Sequence, residues 1–126
     1  MTKDPRIPPI RPVEIVAFPG ANLLDITGPL QVFASANDAA GKDNSPVYDI
    51  SLVARDTPVV TSSGLALLAQ SLPVLTKPVD TLVIAGGGGV HKASTDEALL
   101  RWLTARARAA RRVASVCTGG SLAPGS

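Results

Sequence analysis

The stretch Arg112-Val113-Ala114-Ser115-Val116-Cys117-Thr118-Gly119-Gly120 decides how the rest of the chain is read. Val113 to Val116 is a short apolar run and reads as a buried strand. It stops at the only cysteine in the protein, and two glycines follow within three residues. Glycine tolerates the backbone angles of a sharp turn. A strand, a residue able to act as a nucleophile, and then small residues resemble a nucleophile elbow, in which the turn holds the side chain up at the end of a sheet. A helix beginning just after Cys117 would favour the thiolate through its N-terminal N–H groups and dipole. From these residues alone, a buried structural cysteine fits as well.

Working outward, 126 residues with 45% hydrophobic content suffice for one globular domain. Only 3% of residues are aromatic, so the core must be built from Val, Leu, Ile and Ala. A formal net charge of +2 gives no reason to expect nucleic-acid binding by itself. One cysteine cannot form an internal disulfide, which fits a reducing cytoplasm. No run approaches the roughly 20 apolar residues of a membrane span. Residues 1–12 carry charges and four prolines without an apolar core, so they read as a flexible lead-in to a domain over 13–126.

Val13 to Phe18 is the first expected strand, β-branched and nearly all apolar, as a central parallel strand should be. Pro29 suits the first turn of a helix capped by Thr27 or Gly28 and running to about Ala40. Tyr48 to Ala54 alternates at its start, as a strand nearer the sheet edge would. Pro58 to Val60 reads as a short strand with Gly64 to Leu68 as its hairpin partner, and Leu72 to Pro78 as a linker. Thr81 to Ala85 is a buried strand ending in four glycines, Gly86 to Gly89. Ser94 and Glu97 have the spacing of a capping box for a helix over 96–110. Arg106, Arg108, Arg111 and Arg112 complement the negative end of that helix's dipole, a simpler reading than a phosphate or nucleic-acid patch.

Strands alternating with helices predict an α/β fold with a parallel sheet, and ligands then gather beyond the carboxyl ends of the strands. Asp25 follows the first strand, Gly86-Gly87 the Thr81 strand, and Cys117-Thr118 the last. If the three strands are neighbours, all these residues share one edge. A carboxyl group there can orient a thiol or exchange a proton with it, and glycine N–H groups can bind a developing oxyanion. Asp25 equally suits a plain helix-start acid. The glycine run lacks the GxGxxG or P-loop continuation of a nucleotide site. His91 reads as an exposed loop residue.

Asp25-Ile26-Thr27-Gly28-Pro29, Ile84-Ala85-Gly86-Gly87 and Ser115-Val116-Cys117-Thr118-Gly119 together resemble the ThiJ/PfpI superfamily. The Asp-Ile-Thr-Gly-Pro form is similar to two of its branches, the isocyanide hydratases and the N-terminal sensor domains of AraC-type transcriptional regulators. The resemblance spans about Val13 to Gly119. It implies a flavodoxin-like, class I glutamine-amidotransferase-like three-layer fold. Cys117 is then the nucleophile position and Asp25 its carboxyl partner, and the backbone N–H groups of Gly87 and Thr118 form the oxyanion site. Ser62-Ser63-Gly64 also resembles a segment of these proteins.

The resemblance implies a small-molecule ligand or substrate, no cofactor or metal, and a homodimer. It leaves two functions: a sensor domain, or a cysteine-dependent hydratase or hydrolase. Domains of this family continue past the elbow with a helix and further strands, so the chain is expected to be the first two-thirds of such a domain. An incomplete domain of this kind would be poorly soluble or self-associate through its uncovered edge, and a third reading is a structural remnant with no activity. DNA would be touched only through a helix-turn-helix module that this sequence does not contain.

Overall fold

The computed structural model describes residues 10–40 and 46–116. Its centre is β1 (Arg11–Ala17), whose residues Val13 to Ala17 are all buried. To one side lies β2 (Tyr48–Ala54), parallel and in register from Arg11 opposite Tyr48 to Ala17 opposite Ala54. To the other lies β6 (Thr81–Ile84), and beyond it β7 (Arg112–Ser115), both parallel. The two-residue β5 (Gln70–Ser71) adds to the far edge of β2, giving a five-stranded sheet of order β5-β2-β1-β6-β7. A separate hairpin pairs β3 (Val59–Val60) with β4 (Ala66–Leu67), as expected, around Gly64 at φ +91°.

The α/β architecture and the adjacency of the three expected strands hold. β1 starts two residues before Val13, because Arg11 donates to Val47 (2.9 Å) and the Pro12 carbonyl accepts from Asp80 (2.9 Å). Pro12 lacks an N–H but contributes its acceptor. β5 was not legible, since two polar residues carry no periodicity.

Helix α1 (Leu23–Ala40) packs over β1 and β2. It begins five residues before the expected start. Asn22, not Thr27 or Gly28, caps it, its Oδ1 accepting from Leu24 N–H at 3.0 Å. Pro29 therefore lies inside the helix, and the Thr27 hydroxyl donates to the Leu23 carbonyl at 3.0 Å. After the single turn α2 (Val90–Ala93), α3 (Glu97–Ala109) forms the β6-to-β7 crossover. The connections β1–α1–β2 and β6–α3–β7 run in opposite directions along the sheet, so right-handed crossovers put their helices on opposite faces. The expected capping box does not form: Asp96 caps α3 by accepting from Leu99 N–H at 3.2 Å, and Ser94 donates to the His91 carbonyl. Asp96 has the extended backbone of a cap, whereas Ser94 closes α2 in a helical conformation.

The basic cluster also differs from expectation. Arg106 is fully buried on α3 and forms a forked pair with Glu14 of β1, Nε to Oε1 at 2.8 Å and Nη2 to Oε2 at 2.5 Å. Its Nη1 donates to the Lys77 carbonyl at 2.6 Å, and Trp102 Nε1 donates to Pro73 at 2.8 Å. The 72–78 linker is thus a shelf of carbonyls that receives α3. Arg111 pairs with Asp80 at 2.8 Å, which holds the Asp80 carboxyl below the usual range.

The expectation that the last strand is buried fails. All four β7 residues are exposed, Val113 to 48%. Among the described residues, no strand lies on its outer edge. An apolar groove of about 580 Å³ runs between β7 and α1, with Pro29, Val32 and Phe33 on one wall.

Candidate functional site

Two of the residues predicted from sequence, Asp25 and Gly87, lie where the loops after β1 and β6 meet. Asp25 sits in the first turn of α1 and is fully buried. Its backbone N–H donates to the Asn22 carbonyl at 3.1 Å, which fixes the turn that presents it. Ile26 beside it is also in the core, so the start of α1 is anchored by apolar burial as well as by its cap.

The glycines let two backbones touch. Asn22 N–H donates to the Gly86 carbonyl at 2.8 Å, and Gly89 N–H donates to the Gly20 carbonyl at 3.1 Å. Gly87 has φ +123°, in the region that disfavours side chains, and a Cβ there would lie 2.4 Å from Asn22 N. A Cβ on Gly89 would lie 2.0 Å from the Pro19 carbonyl oxygen. Gly88, by contrast, faces open space. The hairpin buttresses the other side of the same loop: Gly20 N–H donates to Val60, and Ser62 N–H to Ala21, both at 2.9 Å. Ser62-Ser63-Gly64 thus supports the β1 loop.

Of the four residues singled out from sequence, the structure brings Asp25 and Gly87 to one place. Cys117 and Thr118 lie outside the described residues. Val116, just before them, still donates to the Ile84 carbonyl at 2.9 Å. β7 therefore runs beside β6 up to the residue preceding Cys117. Sequence reading missed Asn22 and Gly20, although an asparagine three residues before an acid, behind Pro19-Gly20, is a helix-start signal. His91 is exposed on α2, away from any role in this contact.

A separate cleft of about 650 Å³ opens at the ends of β1 and β2 on the α3 side. Phe18, Ala54 and Leu99 are among its apolar residues, and Arg55, Lys92 and Asp96 among its charged ones. Arg55 reaches Asp96 at 2.7 Å, and this hydrogen bond holds the Asp96 carboxyl below its usual range. Asp25 and Gly87 line neither this cleft nor the β7 groove. Among the described residues, no group of three or more His, Cys, Asp or Glu side chains is placed to hold a metal ion. None of their helices is long and apolar enough to cross a membrane.

A parallel sheet in this order, flanked by helices and with a buried acid and a glycine turn at its carboxyl edge, defines a flavodoxin-like α/β domain. Residues 11–124 match the DJ-1/PfpI family, and the chain belongs to it. It is 37% identical over 108 residues to an uncharacterized protein encoded in the cpoL 5' region of Streptomyces lividans, covering 85% of this chain and 73% of that one. It is 36% identical over 112 residues to isonitrile hydratase of Pseudomonas putida, covering 85% of this chain and 43% of the enzyme. A stretch of 46 residues, 36% of this chain, is 50% identical to an HTH-type transcriptional regulator of Mycobacterium tuberculosis, covering 18% of the regulator. Among solved structures, Drosophila melanogaster DJ-1beta superposes with a TM-score of 0.62 at 19% identity, over 86% of this chain and 55% of that one. An AraC family transcriptional regulator from Pseudomonas putida superposes with a TM-score of 0.52 at 20% identity, over 73% of this chain and 61% of that one. The chain thus spans less than half of the isonitrile hydratase and under two-thirds of either structural neighbour.

Proposed function

We propose that this chain is a small-molecule-sensing domain of the kind carried by AraC-type transcriptional regulators. The observation that carries the reading is the 46-residue stretch half identical to a transcriptional regulator. The buried Asp25 beside the Gly86–Gly89 turn supports a site at the sheet's carboxyl edge. In this reading Cys117 and Asp25 face the ligand, the domain works as a homodimer in the cytoplasm, and DNA is contacted through a module outside this sequence.

The 36% identity to isonitrile hydratase favours a second reading, a cysteine-dependent hydratase or hydrolase. There the Cys117 thiolate attacks an electrophilic carbon and Asp25 transfers the proton. The backbone N–H groups of Gly87 and Thr118 receive the developing negative charge. Incubation with a simple alkyl isonitrile separates the two readings. Hydration adds one water to the isonitrile carbon and yields the N-alkyl formamide. The sensor reading expects no formamide above the level given by Cys117→Ala. Turnover that disappears in Cys117→Ala overturns it in favour of the enzyme.

A further inference from the structure

The amino end of the sheet, opposite the edge that carries Asp25, is basic. Arg11 opens β1, Arg111 and Arg112 lead into β7, Arg108 lies in the last turn of α3, and Lys77 belongs to the carbonyl shelf; all five are exposed. Backbone bonds draw them together. Asp80 N–H donates to the Pro12 carbonyl (2.9 Å), and Arg112 N–H to the Asp80 carbonyl (3.0 Å). The Lys77 carbonyl is held by Arg106 of α3 (2.6 Å). An open cleft of about 320 Å³ between Arg11, Pro78, Ala109 and Arg111 marks where the elements converge.

Asp80 is the acid set among these cations. It accepts from Arg111 at 2.8 Å and stands 3.8 Å from Arg112. Arg11, Lys77 and Arg108 have no side-chain hydrogen bond or ion pair among the described residues. Asp38 and Asp49, the other acids of this end, stand on α1 and β2, so the two signs of charge are segregated across it. The dipole of α3 accounts for little of the cluster. Arg106 is buried against Glu14, and Arg111 and Arg112 lie beyond the helix.

The geometry points to this face as a docking surface for the phosphate backbone of duplex DNA. Guanidinium forks match phosphate oxygens. Several cations gathered on one face attract a polyanion even where the net charge is only +2. Single strands would need aromatic platforms for their bases. Here Phe18 is buried, Phe33 and Tyr48 pack edge to face, and Trp102 is bonded to Pro73. Contacts to phosphate alone carry no sequence information. The face adds a sequence-independent contact to any that a module outside this sequence makes, and neither reading of the Asp25 edge enters it.

The test is fluorescence anisotropy of a labelled DNA duplex titrated with the full chain. A duplex of about 20 base pairs should bind in about 20 mM salt, with log K falling against log salt at a slope of about −3 to −4, for about four phosphates neutralised. The triple variant Arg11→Gln, Lys77→Gln, Arg108→Gln breaks no side-chain bond among the described residues. It should bind at least about tenfold more weakly, with a slope shallower by about 2–3. Arg55→Gln with Lys92→Gln removes charge at the carboxyl end and should leave affinity and slope in place. A wild type without salt-dependent binding overturns the inference. An equal loss per charge in the two variants would report net charge alone and also overturns it. A labelled oligoglutamate peptide that binds more tightly than the duplex at the same salt would assign the face to an acidic protein segment, against the inference.

Discussion

Glu14 and Asp25 are both acids buried beyond the reach of water, yet the two regions that hold them are built by opposite means. Glu14 lies mid-strand in β1, gripped by a guanidinium that is itself fully buried and tied to the 74–77 carbonyls. Long side chains fill that region. Asp25 stands at the carboxyl edge, where the loops after β1 and β6 approach by omitting side chains at Gly20, Gly87 and Gly89. A charge pair can be exchanged for apolar residues of similar volume, but a backbone contact that has no room for a Cβ cannot be substituted. The first region is expected to tolerate paired redesign, and the second to tolerate none.

The largest expected effect is at the ion pair. Arg106→Ala leaves the Glu14 carboxylate buried and uncompensated, and should lower unfolding free energy by about 3–5 kcal/mol in urea titrations. The double variant Glu14→Leu with Arg106→Met should recover most of that loss. A single variant within about 1 kcal/mol of wild type would break the contrast at its first term.

Next come the glycines. Gly87→Ala must strain a backbone at φ +123° and displace Asn22, at a cost of about 1–3 kcal/mol from the backbone alone. Gly89→Ala should be comparably damaging through its collision with Pro19. Gly88→Ala, facing open space, should stay within about 0.5 kcal/mol of wild type. Equal melting-temperature shifts for all three would mean that the close approach is not what makes the edge rigid.

A smaller effect tests a single hydrogen bond of the first region. Trp102→Phe removes the Nε1 donor to Pro73 and should cost about 1 kcal/mol, again on the side-chain-built face. The smallest expected effect belongs to Asp80, whose pair with Arg111 is partly open to water. Its folded-state pKa is depressed, mainly by the Arg111 hydrogen bond, so it stabilises the fold at pH values above the unfolded carboxyl value of about 3.9. That contribution fades as pH falls through the depressed folded value. Stability measured from pH 5 down to pH 2 should fall less steeply in Asp80→Asn, and molar salt should shrink the difference. A larger acid sensitivity in the variant would reverse the sign and refute the assignment.

Much of this was legible in the chain. The apolar runs of β1, β6 and β7, separated by amphipathic helices, determined a parallel α/β sheet, because crossovers demand such helices and burial on both faces demands such runs in β1 and β6, although β7 itself is exposed. Asp25 and the four-glycine run were also readable, since an acid and a turn after a strand need only local chemistry. The start of α1 was misjudged by five residues because Pro29 is a local signal that the Asn22 cap and the burial of Ile26 outweigh. Glu14 read as an interruption in an apolar strand and Arg106 as one charge in a basic turn. Only tertiary structure paired them, for they stand 92 residues apart and neither spacing nor periodicity records such a partner. The same holds for Gly87 and Asn22. Which backbone a glycine makes room for depends on two loops meeting in space, and burial of the sheet between α1 and α3 is what brings them together.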